Sequence, residues 1–138
     1  MSVEQGLAKV FDIASAGMDV QQLRLQIAAA NVANSRTTNA PGTTPYRPLE
    51  VIVRASAPNA ALPRPEVAAI VESDVAPRRV YEPGHPDADK DGFVSLPGVD
   101  PINSMMDLLE ISRNYEANLR VFDLTRSLIQ RTIDLGSK

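Results

Sequence analysis

The apolar positions of this 138-residue chain change rhythm twice. From the N-terminus, Leu7, Phe11, Ala14, Met18, Gln21, Leu25, Ala28 and Val32 follow one another at alternating steps of four and three. That spacing sets them on one helix face as a heptad seam, with Gln21 its only polar member. Ala14 and Ala28 leave room for a close helix neighbour. Ser2, with Gln5 three places on, reads as a capping box. The pattern dissolves in "NVANSRTTNAPG", whose Asn, Ser, Thr and Gly favour a helix end and a turn. Near the other end, Met105, Leu108, Ser112, Tyr115, Leu119, Phe122, Arg126, Ile129 and Ile133 repeat the same steps. A second stripe, Val121, Leu124, Leu128 and Leu135, widens the apolar surface there. Asp100 is the expected N-cap, Pro101 suits the first helical position, and Gly136 stands where a C′ residue is expected.

Between the two helical patterns the period shortens. All 11 prolines lie between Pro41 and Pro101, so long helices fit only the ends. "PLEVIVRAS" alternates Leu49, Val51 and Val53 against Glu50 and Arg54, as a half-buried strand does. "EVAAIVESD", "RRVYEP" and "GFVSLPG" are further strand candidates, and "RASAPNAALPRPE" reads as a flexible loop. The fold class expected is α+β, with long terminal helices pairing as a coiled coil around a small, irregular, proline-rich β insert. The expected divisions are 1–36 for the N-terminal helix, 37–99 for the insert and 100–138 for the C-terminal helix.

Composition narrows the chemistry. The apolar share is 43 %, yet aromatic residues supply only 4 %, a pool suited to helix packing rather than to an aromatic pocket. With 14 Lys+Arg against 17 Asp+Glu and a net charge of −3, the chain lacks the basic excess of a nucleic-acid binder. There is no Cys, hence no disulfide, thiolate metal site or thiol nucleophile. The lone His85, between Gly84 and Pro86, would have to carry any catalytic triad or histidine metal site alone, so no enzyme is expected. No cofactor and no stable small-molecule ligand is expected either. No apolar run is long enough to span a membrane, and "MSVEQGLAKVFD" lacks the features of a cleavable signal peptide.

One stretch still invites a metal. "HPDADKDGF" sets Asp87, Asp89 and Asp91 at alternating positions before Gly92, as an EF-hand loop begins. The twelfth position, where a bidentate Glu should close the site, is Gly98 instead, and "YEPGHP" precedes the loop where a helix should enter. A calcium-binding module using Asp87, Asp89 and Asp91 is the alternative reading. The plainer one is an acidic turn whose side chains bond nearby backbone N–H groups.

Helical apolar stripes usually pack within their own domain. Two helices alone, however, cannot cover both stripes of the C-terminal one, which points to assembly. At "LRLQIAAANVANSRTT", "PYRP", "VYEPGHPDADKDGFVSLPGVDPI" and "MMDLLEISRNYEANLRVFDLTRSLI" the chain resembles the bacterial flagellar rod and hook axial proteins. The resemblance implies a non-enzymatic rod subunit of the flagellar basal body. Such a subunit is exported without cleavage by the flagellar type III apparatus, and the rod crosses the periplasm. It would assemble helically with copies of itself and with the rod proteins FlgB, FlgF, FlgG and FliE, around the export channel, and transmit torque. The proline-rich middle would face outward or make lateral contacts. The assembly residues implied are Leu7, Phe11, Met18, Leu25, Asn31, Val32 and Asn34 at one end. At the other they are Met105, Leu108, Tyr115, Glu116, Asn118, Leu119, Phe122, Ile129 and Ile133. The family's signature turn would be carried by Tyr46, Tyr81, Pro83, Gly84, His85, Pro86, Asp87, Asp89 and Gly92.

Overall fold

A computed structural model of the chain describes residues 3–57 and 62–136. Helix α1 spans Val3–Ala33, strand β1 Leu49–Ser56, β2 Arg64–Glu72, β3 Arg78–Tyr81, β4 Phe93–Leu96, and helix α2 Pro101–Gly136. The expected fold class, two long terminal helices flanking short strands, is present, and each strand candidate forms a strand. Ser2 of the expected capping box lies outside the described residues, as do residues 58–61 of the expected loop. No helix among the described residues is long and apolar enough to cross a membrane.

The helices pack against each other in antiparallel fashion. Phe11 meets Phe122 with ring centroids 4.1 Å apart, and six residues further along α1, Gly17 lies against Asn118. A Cβ on Gly17 would stand 2.8 Å from Asn118 Nδ2, so the absence of a side chain sets the closeness of approach there. Ala14, Ala16 and Val20 are buried around the same contact. α2 starts as its sequence dictates. Asp100 Oδ1 accepts from the Ile102 N–H at 2.9 Å, and its second oxygen accepts from the Asn103 amide, satisfying donors that Pro101 does not add to.

The insert is two separate antiparallel hairpins, not one sheet. β1 and β2 pair from Leu49↔Glu72 to Ser56↔Arg64, with a register shift between Ile52 and Val53. This ribbon lies along α1. Its open end is held at Asn31, and near its tip Arg64 pairs with Asp12 at 3.2 Å. β3 and β4 pair from Arg78↔Leu96 to Tyr81↔Phe93. Val94, Pro97 and Val99 are buried at the end of β4, where the chain turns into α2.

The open end of the ribbon depends on one side chain. Asn31 Nδ2 donates to the Leu49 carbonyl at 2.8 Å, while its Oδ1 accepts from the Leu49 N–H at 2.9 Å. The amide thereby imitates a neighbouring strand at the first residue of β1. The Tyr46 hydroxyl donates a second bond to Oδ1, and burial pushes that hydroxyl's pKa up. Asn31→Ala would leave the half-buried Leu49 and Tyr46 groups unpaired. It should cost about 2 kcal/mol, the usual penalty for orphaned hydrogen-bonding groups. Denaturant titration checks this, and an unchanged midpoint would refute it.

The described residues leave much apolar surface uncovered. The chain exposes 9607 Å², where a compact protein of its 14.9 kDa exposes about 7,000 Å². Among the described residues the buried hydrophobics are small: Ala14, Ala16, Val20, Val94 and Val99.

Candidate assembly interface

The α1 seam follows the heptad expectation closely. Leu7, Phe11, Met18, Ala28 and Val32 are half-buried, and Ala14 is buried. Leu25 is mostly outside the contact, at 39 % exposure. Gln21 Oε1 is buried without a hydrogen-bond partner among the described residues. Asn31 and Asn34 bond inside the chain, Asn31 to β1 and Asn34 to the Ala30 carbonyl at 2.8 Å.

α2 turns a different face inward from the one its large apolar residues suggest. Leu108, Phe122 and Ile129 of the expected seam are half-buried, but Met105 and Ile133 are 65 % and 64 % exposed, and Tyr115, Glu116 and Leu119 are also outward. The covered positions are Ser104, Leu108, Ile111, Asn114, Asn118, Phe122, Thr125, Ile129 and Thr132. Small and polar residues make up much of this line because α1 approaches closely at Gly17, and bulky side chains would hold the helices apart. Thr125 satisfies its own hydroxyl by donating to the Val121 carbonyl at 2.8 Å.

Apart from Leu108, Ile111, Phe122 and Ile129, the large apolar side chains of α2 are exposed. Ile102, Met106, Leu109, Arg113, Ala117, Arg120, Leu124, Leu128, Arg131 and Leu135 are all exposed and succeed one another at steps of four and three. Leu124 and Leu135 are 63 % and 78 % exposed. A stripe of this length on one protomer is the surface that association would cover.

The acidic stretch forms the loop between β3 and β4, and its carboxylates have separate tasks. Asp89 Oδ1 accepts from the Asp91 N–H at 3.0 Å and the Phe93 N–H at 2.9 Å, and Oδ2 accepts from Arg79 at 2.5 Å. Asp87 Oδ2 accepts from the Thr38 hydroxyl at 2.6 Å, tying the loop to the segment after α1. His85 Nδ1 accepts from the Asp87 N–H at 3.0 Å. Gly92 has φ +80°, and a Cβ there would meet Tyr81 Cε2 at 2.9 Å. Tyr81 sits edge-on to Phe93, which also carries Arg79 over its face. Pro83, Gly84 and Pro86 are exposed at the loop's outer bend. No group of three or more acidic or histidine side chains among the described residues is arranged to hold a metal. The calcium alternative thus loses its geometric basis, since Asp87 and Asp89 face different partners.

The Phe93 N–H, foremost, holds the Asp89 carboxyl below its ordinary pKa; partial burial opposes this, while the Asp91 N–H and Arg79 reinforce it. A depressed folded-state pKa gives stability that is present above the unfolded value, near ~4, and lost as pH falls through the folded value. Asp89→Ala should therefore melt below the wild type at pH 7, with the gap narrowing as the pH drops below about 4. Melting curves with a gap that stays constant into acid would contradict this assignment.

The class emerges first from the C-terminal third. Residues 90–135, from the end of the acidic turn through α2, match the family described as flagellar basal body rod FlgEFG protein C-terminal. Full-length relatives then sharpen it. The chain is 37% identical over 131 residues to the flagellar basal-body rod protein FlgC of Salmonella typhimurium, covering 94% of this chain and 98% of that protein. It is 34% identical to the FlgC of Aquifex aeolicus, covering 89% and 92%. It is 31% identical to the FlgC of Borreliella burgdorferi, covering 93% and 96%. The chain belongs to the FlgC family of flagellar basal-body rod proteins.

Proposed function

We propose that this chain is a structural, non-catalytic subunit of the bacterial flagellar basal-body rod, built into it through the outward faces of its terminal helices. The observation that carries this reading is the exposed stripe of α2, from Ile102 to Leu135, on a chain whose relatives are rod proteins along nearly their whole length. Burying that stripe against neighbours would repay the area the isolated fold leaves open, since association is driven largely by apolar surface removed from water. Helical assembly around the export channel, torque transmission, and contacts with FlgB, FlgF, FlgG and FliE follow from the same reading. So does uncleaved export by the flagellar type III apparatus. The units 1–36, 37–99 and 100–138 serve it as core helix, insert and core helix.

Leu124→Asp with Leu128→Asp tests the reading without touching the α1 contact. Both residues are exposed, so the isolated fold should melt normally while incorporation into purified basal bodies falls at least tenfold. Motile cells with the doubly substituted protein present in their basal bodies at wild-type amounts would sink the reading.

A further inference from the structure

A groove of about 470 Å³ runs between β1, α1 and the first half of α2. Ile27 and Ala28 of α1, Val51 of β1 and Ile111 of α2 line it, together with the polar Asn31 and Asn114. Its rim is acidic. Glu50, Asp107 and Glu110 are exposed along it, against one base, Arg24. Asp100 also borders the groove, but its carboxylate is engaged as the cap of α2. Apolar lining residues bordered by exposed carboxylates suit an amphipathic helix that carries arginines beside its apolar stripe.

The same chain displays such a helix at its other end. Leu124, Leu128 and Leu135 are exposed in one line, and Arg120 and Arg131 are exposed on the same side. The nearest acid to Arg120 is Glu116, one turn back, with an exposed 4.0 Å pairing that is cheap to exchange. The segment cannot fold back into its own groove. Asp107 and Leu124 belong to one continuous helix and stand about 25 Å apart along it, at 1.5 Å per residue. We propose that the groove receives the C-terminal half of α2, Arg120 to Leu135, from a second copy of this chain. The two surfaces differ, so the contact is head-to-tail. Each added copy leaves one groove and one helix end free, and the contact propagates instead of closing. The inference deepens the rod reading, on which it rests, by naming the surfaces through which two copies meet.

A charge-exchange experiment on the full chain tests it. The Asp107→Arg, Glu110→Arg pair makes the groove basic, and the Arg120→Glu, Arg131→Glu pair makes the helix end acidic. All four positions are exposed, so circular dichroism melts should be unchanged and serve as the check on folding. By sedimentation at low salt, the wild type should self-associate, each variant alone should associate at least tenfold more weakly, and an equimolar mixture should recover. The wild-type association should also weaken as salt rises. A wild type that stays monomeric, a variant that associates normally, or a mixture no tighter than its components would each overturn the contact. If the groove variant is lost from basal bodies while the mixture fails to recover, the occupant is a different rod protein and the second-copy assignment falls. The rod reading is judged separately, by whether purified basal bodies contain the wild-type chain.

Discussion

Gly98→Glu is expected to destabilise the protein by about 3 kcal/mol or more, with no calcium binding in return. The substitution supplies the glutamate that the "DADKDG" sequence lacks at the twelfth position of an EF-hand loop. The backbone has no space for it. A Cβ at Gly98 would stand 2.5 Å from Val75 Cγ1 and 2.6 Å from the Ala76 carbonyl oxygen. The second of these is main chain, so relief requires moving the 73–77 segment away from the buried cluster of Val94, Pro97 and Val99. Asp87 and Asp89 would meanwhile keep their bonds to Thr38 and to the Phe93 N–H. Thermal melts of the variant with millimolar calcium and with chelator should coincide, both far below the wild type. A calcium-dependent rise in the melting temperature of the variant would revive the metal reading.

Gly17→Leu should separate the two helices where Gly17 meets Asn118, at a cost of about 3 kcal/mol, the upper range for overpacking. The neighbour that it strikes is the end of the Asn118 side chain, with Nδ2 at 2.8 Å and Cγ at 3.1 Å from the added Cβ. Because that neighbour is a side chain, the effect should be graded. Gly17→Ala should cost less than Gly17→Leu, and Asn118→Ala introduced alongside it should recover part of the loss. The pair would then show a coupling of about 1 kcal/mol in a double-mutant cycle, as residues in direct contact do. Strict additivity of the two substitutions would mean that the helices do not meet there.

The helices and strands were legible in the sequence because proline and periodicity agree about them. The prolines confine helix to the two ends, and the alternation in "PLEVIVRAS" falls on β1. The inner face of α2 was only partly legible. A heptad traced through large apolar residues passes along Met105, Tyr115, Leu119 and Ile133, while the helix turns Ser104, Asn114, Asn118 and Thr125 toward α1. The deciding residue, Gly17, is on the other helix, and nothing in the local pattern of α2 points to it. Asn31 shows the same limit. In "NVANSRTT" it reads as a helix-ending polar residue, but its bonds go to Leu49, brought near by folding. The turn roles of Asp89 were more accessible, since an aspartate two and four residues before amides it can reach commonly folds back on them.

The outward stripe of α2 has a period of its own. Ile102, Arg113, Leu124 and Leu135 are spaced by eleven residues, as are Met106, Ala117 and Leu128, and Leu109, Arg120 and Arg131. Eleven residues in three turns is slightly more than the natural pitch of an α-helix, whereas the heptads of the α1 seam are slightly less. A neighbouring helix that follows this stripe will therefore coil around α2 with a weak right-handed sense, opposite to that of a heptad seam. Twisting such an assembly one way would tighten one set of contacts while loosening the other, giving its resistance to torsion a preferred direction.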